Sequence, residues 1–204
     1  MNPFEEHLEQ ERNRWLAAGG YKQVTDFDYL NENSIVFEVG FWLGKWSQII
    51  HDLYKPKLYA FEPIKEWYNA GIRMFENDSN VKMFNFGLGD SDKEVLFGLD
   101  RDSTGMFCPN KVHPVKIKSV VEFLRTNKIE DIDLFKSNCE GGEYEIFPAL
   151  IASQEIEKLK HIIIQFHELR EEHPEQKKKI QDDLSKTHKL LVCYDGIFEF
   201  WKRL

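Results

Sequence analysis

The sequence predicts an α/β fold: a mostly parallel, seven-stranded sheet closed by an antiparallel C-terminal hairpin, with helices on both faces and an N-terminal helical extension. Three observations carry this. From Ser34 onward, short β-rich runs alternate with stretches of helical spacing, the order that demands parallel strands and right-handed crossovers. Asp195-Gly196 lies between two apolar runs, which marks a β-hairpin. The chain has 204 residues, 42% hydrophobic and 30% charged, enough for one real core. Residues 1–31 read as the extension and residues 32–204 as the main domain.

Phe4, Leu8, Trp15 and Leu16 recur among charges, predicting an amphipathic helix over 4–18 that Gly19-Gly20 stops. A short segment, Val24 to Leu30, leads to the first strand, Ser34 to Gly40. Leu43, Trp46, Ile49, Ile50 and Leu53 have helical spacing, and Pro56 ends that helix. A second strand, Lys57 to Phe61, a helix from Ile64 to Phe75 and a third strand, Val81 to Phe86, complete the first half. Residues 87–118 depart from the alternation, with strands at Glu94–Leu99 and Val112–Lys118 and loops at Gly89–Asp92 and Asp100–Gly105. Ser119, with Glu122 three positions on, has the capping-box pattern for a helix reaching about Lys128. Alternation resumes with a strand at Asp131–Cys139, a helix at Glu143–Ala152, a strand at Lys160–Phe166 and a charged helix at Pro174–Lys186. His188–Tyr194 and Ile197–Lys202 form the hairpin.

Composition excludes several functions. Lys plus Arg number 27 against 35 Asp plus Glu, a net charge of −8, which argues against a nucleic-acid partner because phosphate backbones are gripped by basic faces. No apolar run approaches the roughly 20 residues of a membrane span. The first residues are acidic and lack the features of a signal peptide. Cys108, Cys139 and Cys193 are widely spaced with no CxxC, so neither a disulfide scaffold nor a cysteine zinc site is expected, and a reducing cytoplasm is the expected location. Lys177-Lys178-Lys179, among Glu and Asp, reads as a solvated mixed-charge face. Most of the 16 Phe are expected in the core, with Trp42, Trp67 or Phe107 as candidates to face a ring-shaped ligand.

Open parallel sheets bind ligands beyond the carboxyl ends of their strands, so the residues just after each strand matter most. Gly40 and Gly44 flank the turn after the first strand; they fit either a ligand approaching a helix start or a plain tight turn, and the spacing departs from GxGxxG. Glu38 is a carboxylate on a buried strand with no obvious lysine neighbour, so a cationic or hydrogen-bond-donating ligand is expected to compensate it. Glu62 ends the second strand, 24 positions later, where an acid accepts both hydroxyls of a ribose; a surface turn carboxylate is the alternative. An acid of this kind without a pyrophosphate loop suggests a nucleoside lacking phosphates, and S-adenosylmethionine is the common one. The fourth parallel strand is unusually polar at its end: Lys136, Asn138, Glu140 and Glu143 crowd there, either as an internal Lys136–carboxylate pair or as a catalytic mouth. His167 follows the next strand and joins this cluster if the two strands are neighbours.

Val39-Gly40 with Gly44, Phe61-Glu62-Pro63, Gly89-Asp90 and above all Ile132 to Glu143 (IDLFKSNCEGGE) resemble the FkbM-type methyltransferases over roughly residues 34–168. The last motif is close to the family's IDLLKIDVEGAE. The resemblance implies a Rossmann-like class I methyltransferase fold, S-adenosylmethionine as methyl donor, and a hydroxyl acceptor on a small molecule such as a sugar or glycan. It departs from the family at Glu38 (usually Asp), at the bulky Phe41-Trp42, and at Asn138, where the family has Asp and where an amide cannot act as a base.

On this reading Glu38, Gly40 and Gly44 hold the methionine side, Glu62 the ribose, and Gly89 and Asp90 the adenine. Lys136, Asn138, Glu140, Glu143 and His167 form the acceptor side, with His167 or Glu140 the expected base. Ser103-Thr104-Gly105 is either an acceptor contact or a polar turn. A divalent ion at Asn138, Glu140 and His167 is not favoured, since no spacing demands it. The N-terminal helix either covers the site or meets a second copy in a homodimer. Two other functions remain open: a nucleoside-binding protein without turnover, and an NAD-dependent oxidoreductase.

Overall fold

The computed structural model describes residues 3–99, 105, 108 and 112–204, with backbone only for residues 3 and 4. Helix α1 (Pro3–Ala17) and a 3-10 turn (Gly20–Val24) precede the sheet. There follow β1 (Ile35–Val39), α2 (Lys45–Tyr54), β2 (Lys57–Phe61), α3 (Lys65–Met74), β3 (Val81–Phe84), β4 (Gly87–Gly89), β5 (Lys93–Phe97), β6 (His113–Ser119) and α4 (Val120–Thr126). The remainder is β7 (Leu134–Ser137), α5 (Glu143–Ala152), β8 (His161–Ile164), α6 (His173–Leu184), β9 (His188–Tyr194) and β10 (Phe198–Arg203).

Seven strands form the main sheet in the order β3-β2-β1-β7-β8-β10-β9. All neighbours are parallel except β10, which runs antiparallel to both β8 and β9. Strand order therefore reverses between β1 and β7, and a crevice opens there beyond the carboxyl ends.

Local chemistry explains the element ends. Lys55 takes a left-handed conformation at the end of α2, just before Pro56, which cannot continue a helix. The Ser119 hydroxyl accepts the Glu122 N–H at 3.3 Å and starts α4. The strands bury both faces. Val36, Leu134 and Ile163 pack toward Trp15, Trp46 and Ile50 on one side, while Phe37, Phe135 and Ile162 pack toward α4, α5 and α6 on the other. Phe61, Phe84 and Phe123 lie 5.0–5.1 Å apart between ring centroids and form an aromatic cluster in the core.

Three expectations need correction. Gly89, expected in a loop, ends β4 (Gly87–Gly89), which with β6 and β5 forms a separate three-stranded sheet in the order β4-β6-β5. The strand expected over Asp131–Cys139 is short, because beyond Ser137 the chain turns into the loop before α5. Lys177 is buried, not solvated, and its ammonium holds Glu168 and Asp195, tying α6 to the hairpin turn.

Candidate active site

A cavity of about 810 Å³ opens at the crevice between β1 and β7. It is walled by the turn after β1, the ends of β2, β7 and β8, the N-terminal segment and the hairpin.

Gly40 has φ +90°, and a Cβ there would lie 1.9 Å from the Asn138 carbonyl oxygen, so only glycine lets the β1 turn close against the end of β7. The room left by Gly44 is taken by the Phe41 ring, 2.1 Å from where a Cβ would stand; the bulky loop, not an approaching ligand, requires that glycine.

Glu38 and Lys136 face each other across β1 and β7, with the ammonium 2.9 Å from Oε1. The Ser47 hydroxyl donates to the other carboxylate oxygen, and Lys136 lies 5.0 Å over the Trp46 ring. Glu38 is thus compensated inside the protein, which corrects the expectation that a ligand does so: the parallel pairing of β1 with β7 brings the lysine alongside. One pair joins residues that the sequence reading had divided between donor and acceptor sides.

Glu62 is buried at the end of β2 and lines the cavity. Its two oxygens accept the backbone N–H groups of Trp42 at 2.7 Å and Ile64 at 2.8 Å. Burial pushes its pKa up to about 8 against those two donors, with the charge of Glu38 adding to the rise. In its ionised form each oxygen has a lone pair beyond the one bonded to the backbone, available to a hydroxyl donor.

His167 and Glu140 line the same cavity. His167 Nε2 is 3.0 Å from Glu140, and Nδ1 is 3.1 Å from Glu143. Glu143 is fully buried and also accepts the N–H groups of Cys139 at 2.9 Å and Gly141 at 2.8 Å. Burial opposes charge on His167, yet the two carboxylates outweigh it and hold the pKa at about 10. Burial likewise disfavours charged Glu143, and the imidazolium brings it below its ordinary value. With both ring nitrogens donating at neutral pH, His167 has no lone pair to take a proton. Glu140, the other base expected, places its carboxylate against that ring and lines the cavity.

Asn138 also lines the cavity, and its Oδ1 is buried without a hydrogen-bond donor. Such an oxygen calls for a donor from a ligand.

The adenine-side expectation fares differently. Gly89 sits in β4 against Ile117 and Glu145, and the Asp90 carboxylate is held by Lys93 at 3.1 Å; neither lines the cavity, whereas Gly87, Leu88 and Glu145 do. The short β4 carries residues 89 and 90 past the opening. Gly105 comes against Glu140, a Cβ there falling 3.0 Å from the Glu140 Cβ; Ser103, Thr104 and Phe107 lie outside the described residues. Trp42 and Trp67 both line the cavity.

Arg12 and Trp15 of the N-terminal helix line the cavity, one of the two roles expected for that helix, while sequence reasoning missed Tyr21 and Phe198 beside them. It also missed the Ser47 bond to Glu38. Ser47 carried a usable signal, a hydroxyl on the apolar face of an otherwise regular amphipathic helix. Among the described residues, no group of three His, Cys, Asp or Glu is arranged to hold a metal ion, and no helix is long and apolar enough to cross a membrane.

Residues 33–190 match the methyltransferase FkbM domain. The chain belongs to the FkbM methyltransferase family. Solved structures agree on the fold. A chain of a fibrillarin/Nop5p complex superposes with a TM-score of 0.54 at 14% identity, covering 93% of this chain and 82% of that one. A putative rRNA-methylase from Clostridium thermocellum gives 0.53 at 10% identity, covering 92% and 95%. Aeropyrum pernix fibrillarin, solved with natively bound S-adenosyl-L-methionine, gives 0.50 at 11% identity, covering 93% and 74%. No curated protein matches the chain. This FkbM-family protein is therefore a methyltransferase with the class I α/β fold.

Proposed function

We propose that this FkbM-family protein moves a methyl group from S-adenosylmethionine to a hydroxyl of a small molecule, a sugar or glycan-type acceptor. The observation that carries the reading is Glu62, a buried carboxyl at the end of β2, one strand from the strand-order reversal, which lines a cavity of about 810 Å³. The residues fit the donor: Glu62 takes the ribose hydroxyls, and the Gly40–Gly44 turn beside the Glu38–Lys136 pair borders the methionine end. The unpartnered Asn138 Oδ1 accepts a hydrogen bond from the incoming hydroxyl or from the donor's ammonium.

When bound, S-adenosylmethionine supplies an already activated methyl group, so the chain's own task is to hold an oxygen in line and receive its proton. Orientation of this kind accounts for about 7–11 kcal/mol of a barrier. Glu140 takes the proton from the hydroxyl. His167, kept protonated by Glu143, fixes the Glu140 carboxylate and stabilises its charge beforehand.

The chain's net charge of −8 supports a small acceptor over a nucleic acid. The three free cysteines support a reducing, cytoplasmic setting. We read residues 32–204 as the methyltransferase domain and residues 1–31 as an extension that completes the cavity wall. Titration calorimetry with S-adenosylhomocysteine, followed by assay of its release over a panel of sugars and glycans, tests the proposal. Absence of nucleoside binding at millimolar concentration rejects it.

A further inference from the structure

The charges that line the cavity do not cancel. Lys136 is matched by Glu38 at 2.9 Å, and Glu145 by Lys93 at 2.7 Å. Glu140 is matched by His167 at 3.0 Å, and the remaining charge of that cluster lies on Glu143, fully buried and held by backbone N–H groups. Glu62, held by two backbone N–H groups and with its pKa raised to about 8 by burial, is mainly neutral at pH 7. Two lining side chains are left over, and both are cations. Arg12, on α1, has no carboxylate partner among the described residues. Neither has Lys45, the first residue of α2, whose ammonium lies 5.7 Å over the Tyr21 ring. Uncompensated positive charge at a concave opening is the reverse of what a chain of net charge −8 presents on average, and low-dielectric walls focus its field on whatever enters.

We infer that Arg12 and Lys45 form an anion subsite at the cavity mouth, with Tyr21 as its aromatic floor, taking a carboxylate or phosphate-type group. The inference rests on the methyltransferase reading and deepens it. The anion comes from one of two sources: the carboxylate of the donor's methionine end, or an acidic group on the acceptor, such as a uronic acid or a sugar phosphate. The subsite also gives the N-terminal segment a task, since Arg12 and Tyr21 both precede the sheet.

The test compares wild type with an Arg12→Gln/Lys45→Gln double variant by titration calorimetry against S-adenosylhomocysteine, 5′-methylthioadenosine (the same nucleoside without the amino-acid end), glucuronate and inorganic phosphate. A charge-conserving Arg12→Lys/Lys45→Arg variant controls for folding and is expected to bind like wild type. A tenfold or greater loss for S-adenosylhomocysteine, with methylthioadenosine unchanged, assigns the subsite to the donor's carboxylate. Unchanged nucleoside binding with glucuronate and phosphate binding lost assigns it to an acidic acceptor. Wild type that binds those two anions through these residues but ignores S-adenosylhomocysteine keeps the subsite and removes the donor assignment. The inference is overturned if the double variant binds all four as wild type does. It is overturned equally if methylthioadenosine weakens as much as S-adenosylhomocysteine, because the residues then shape the nucleoside site rather than hold an anion.

Discussion

Lys136 and Glu38 occupy directly opposed register positions on β7 and β1, both almost wholly buried, and each is the other's charge partner at 2.9 Å. Removing one member strands the other in a low-dielectric interior. Lys136→Met is expected to lower unfolding free energy by about 3–5 kcal/mol, and a Lys136→Met/Glu38→Gln double variant to recover most of that loss. Urea titrations of the single and double variants check this. Equal loss in both would mean that the pair contributes through packing alone.

Glu62 gives a pH signature. Its carboxyl is raised to about 8 in the free protein, so it is mostly protonated at pH 7, and hydroxyl donors from a ribose favour the ionised form. S-adenosylhomocysteine affinity should therefore climb between pH 6 and pH 8, at most about tenfold per unit, and level off above pH 8. Glu62→Gln should abolish the slope and weaken binding.

His167 is raised from 6.5 to about 10 by Glu143 and Glu140, which overcome its burial. A raised histidine stabilises the fold fully below pH 6.5, and that contribution fades as pH climbs toward 10. The denaturation midpoint of wild type should fall across this window, and that of His167→Gln should fall less. A wild-type profile no steeper than the variant's would contradict the clamped imidazolium.

Turnover separates the two members of that pair. Glu140→Gln removes the proton acceptor and should cut kcat by about 10²–10⁴-fold with nucleoside affinity kept. His167→Gln should retain part of the rate, because the carboxylate survives without its support. Steady-state assay on any accepted sugar checks both.

Gly40→Ala puts a methyl group 1.9 Å from the Asn138 carbonyl at a left-handed φ. The turn and the end of β7 must separate, so both the melting temperature and nucleoside affinity should drop, which thermal melts with and without S-adenosylhomocysteine will show.

Much of this was legible from the chain alone, because the signals are local. Strand and helix alternation, the Ser119 cap, the Asp195-Gly196 turn and the acid ending β2 each announce themselves within a few residues. What stayed hidden depends on partners far apart. Glu38 and Lys136 are 98 positions apart, and only the β1–β7 adjacency reveals their pairing. The clamp on His167 required Glu143 to turn inward at the start of α5. Three residues with glycine at both ends, Gly87-Leu88-Gly89, carry too little side-chain pattern to read as a strand. Arg12 shows nothing in its own neighbourhood that would place it at a cavity mouth.

The hydrogen bond from the Trp42 N–H to Glu62 ties an exposed indole to the carboxyl proposed to receive the ribose. A ribose hydroxyl donating to the same carboxyl changes the charge at the other end of that tether. Trp42 lines the cavity with Trp15, Trp46 and Trp67, so the emission of the unlabelled protein reports occupancy before any acceptor is known, and the part of the change that is lost in Trp42→Phe is the tethered indole's.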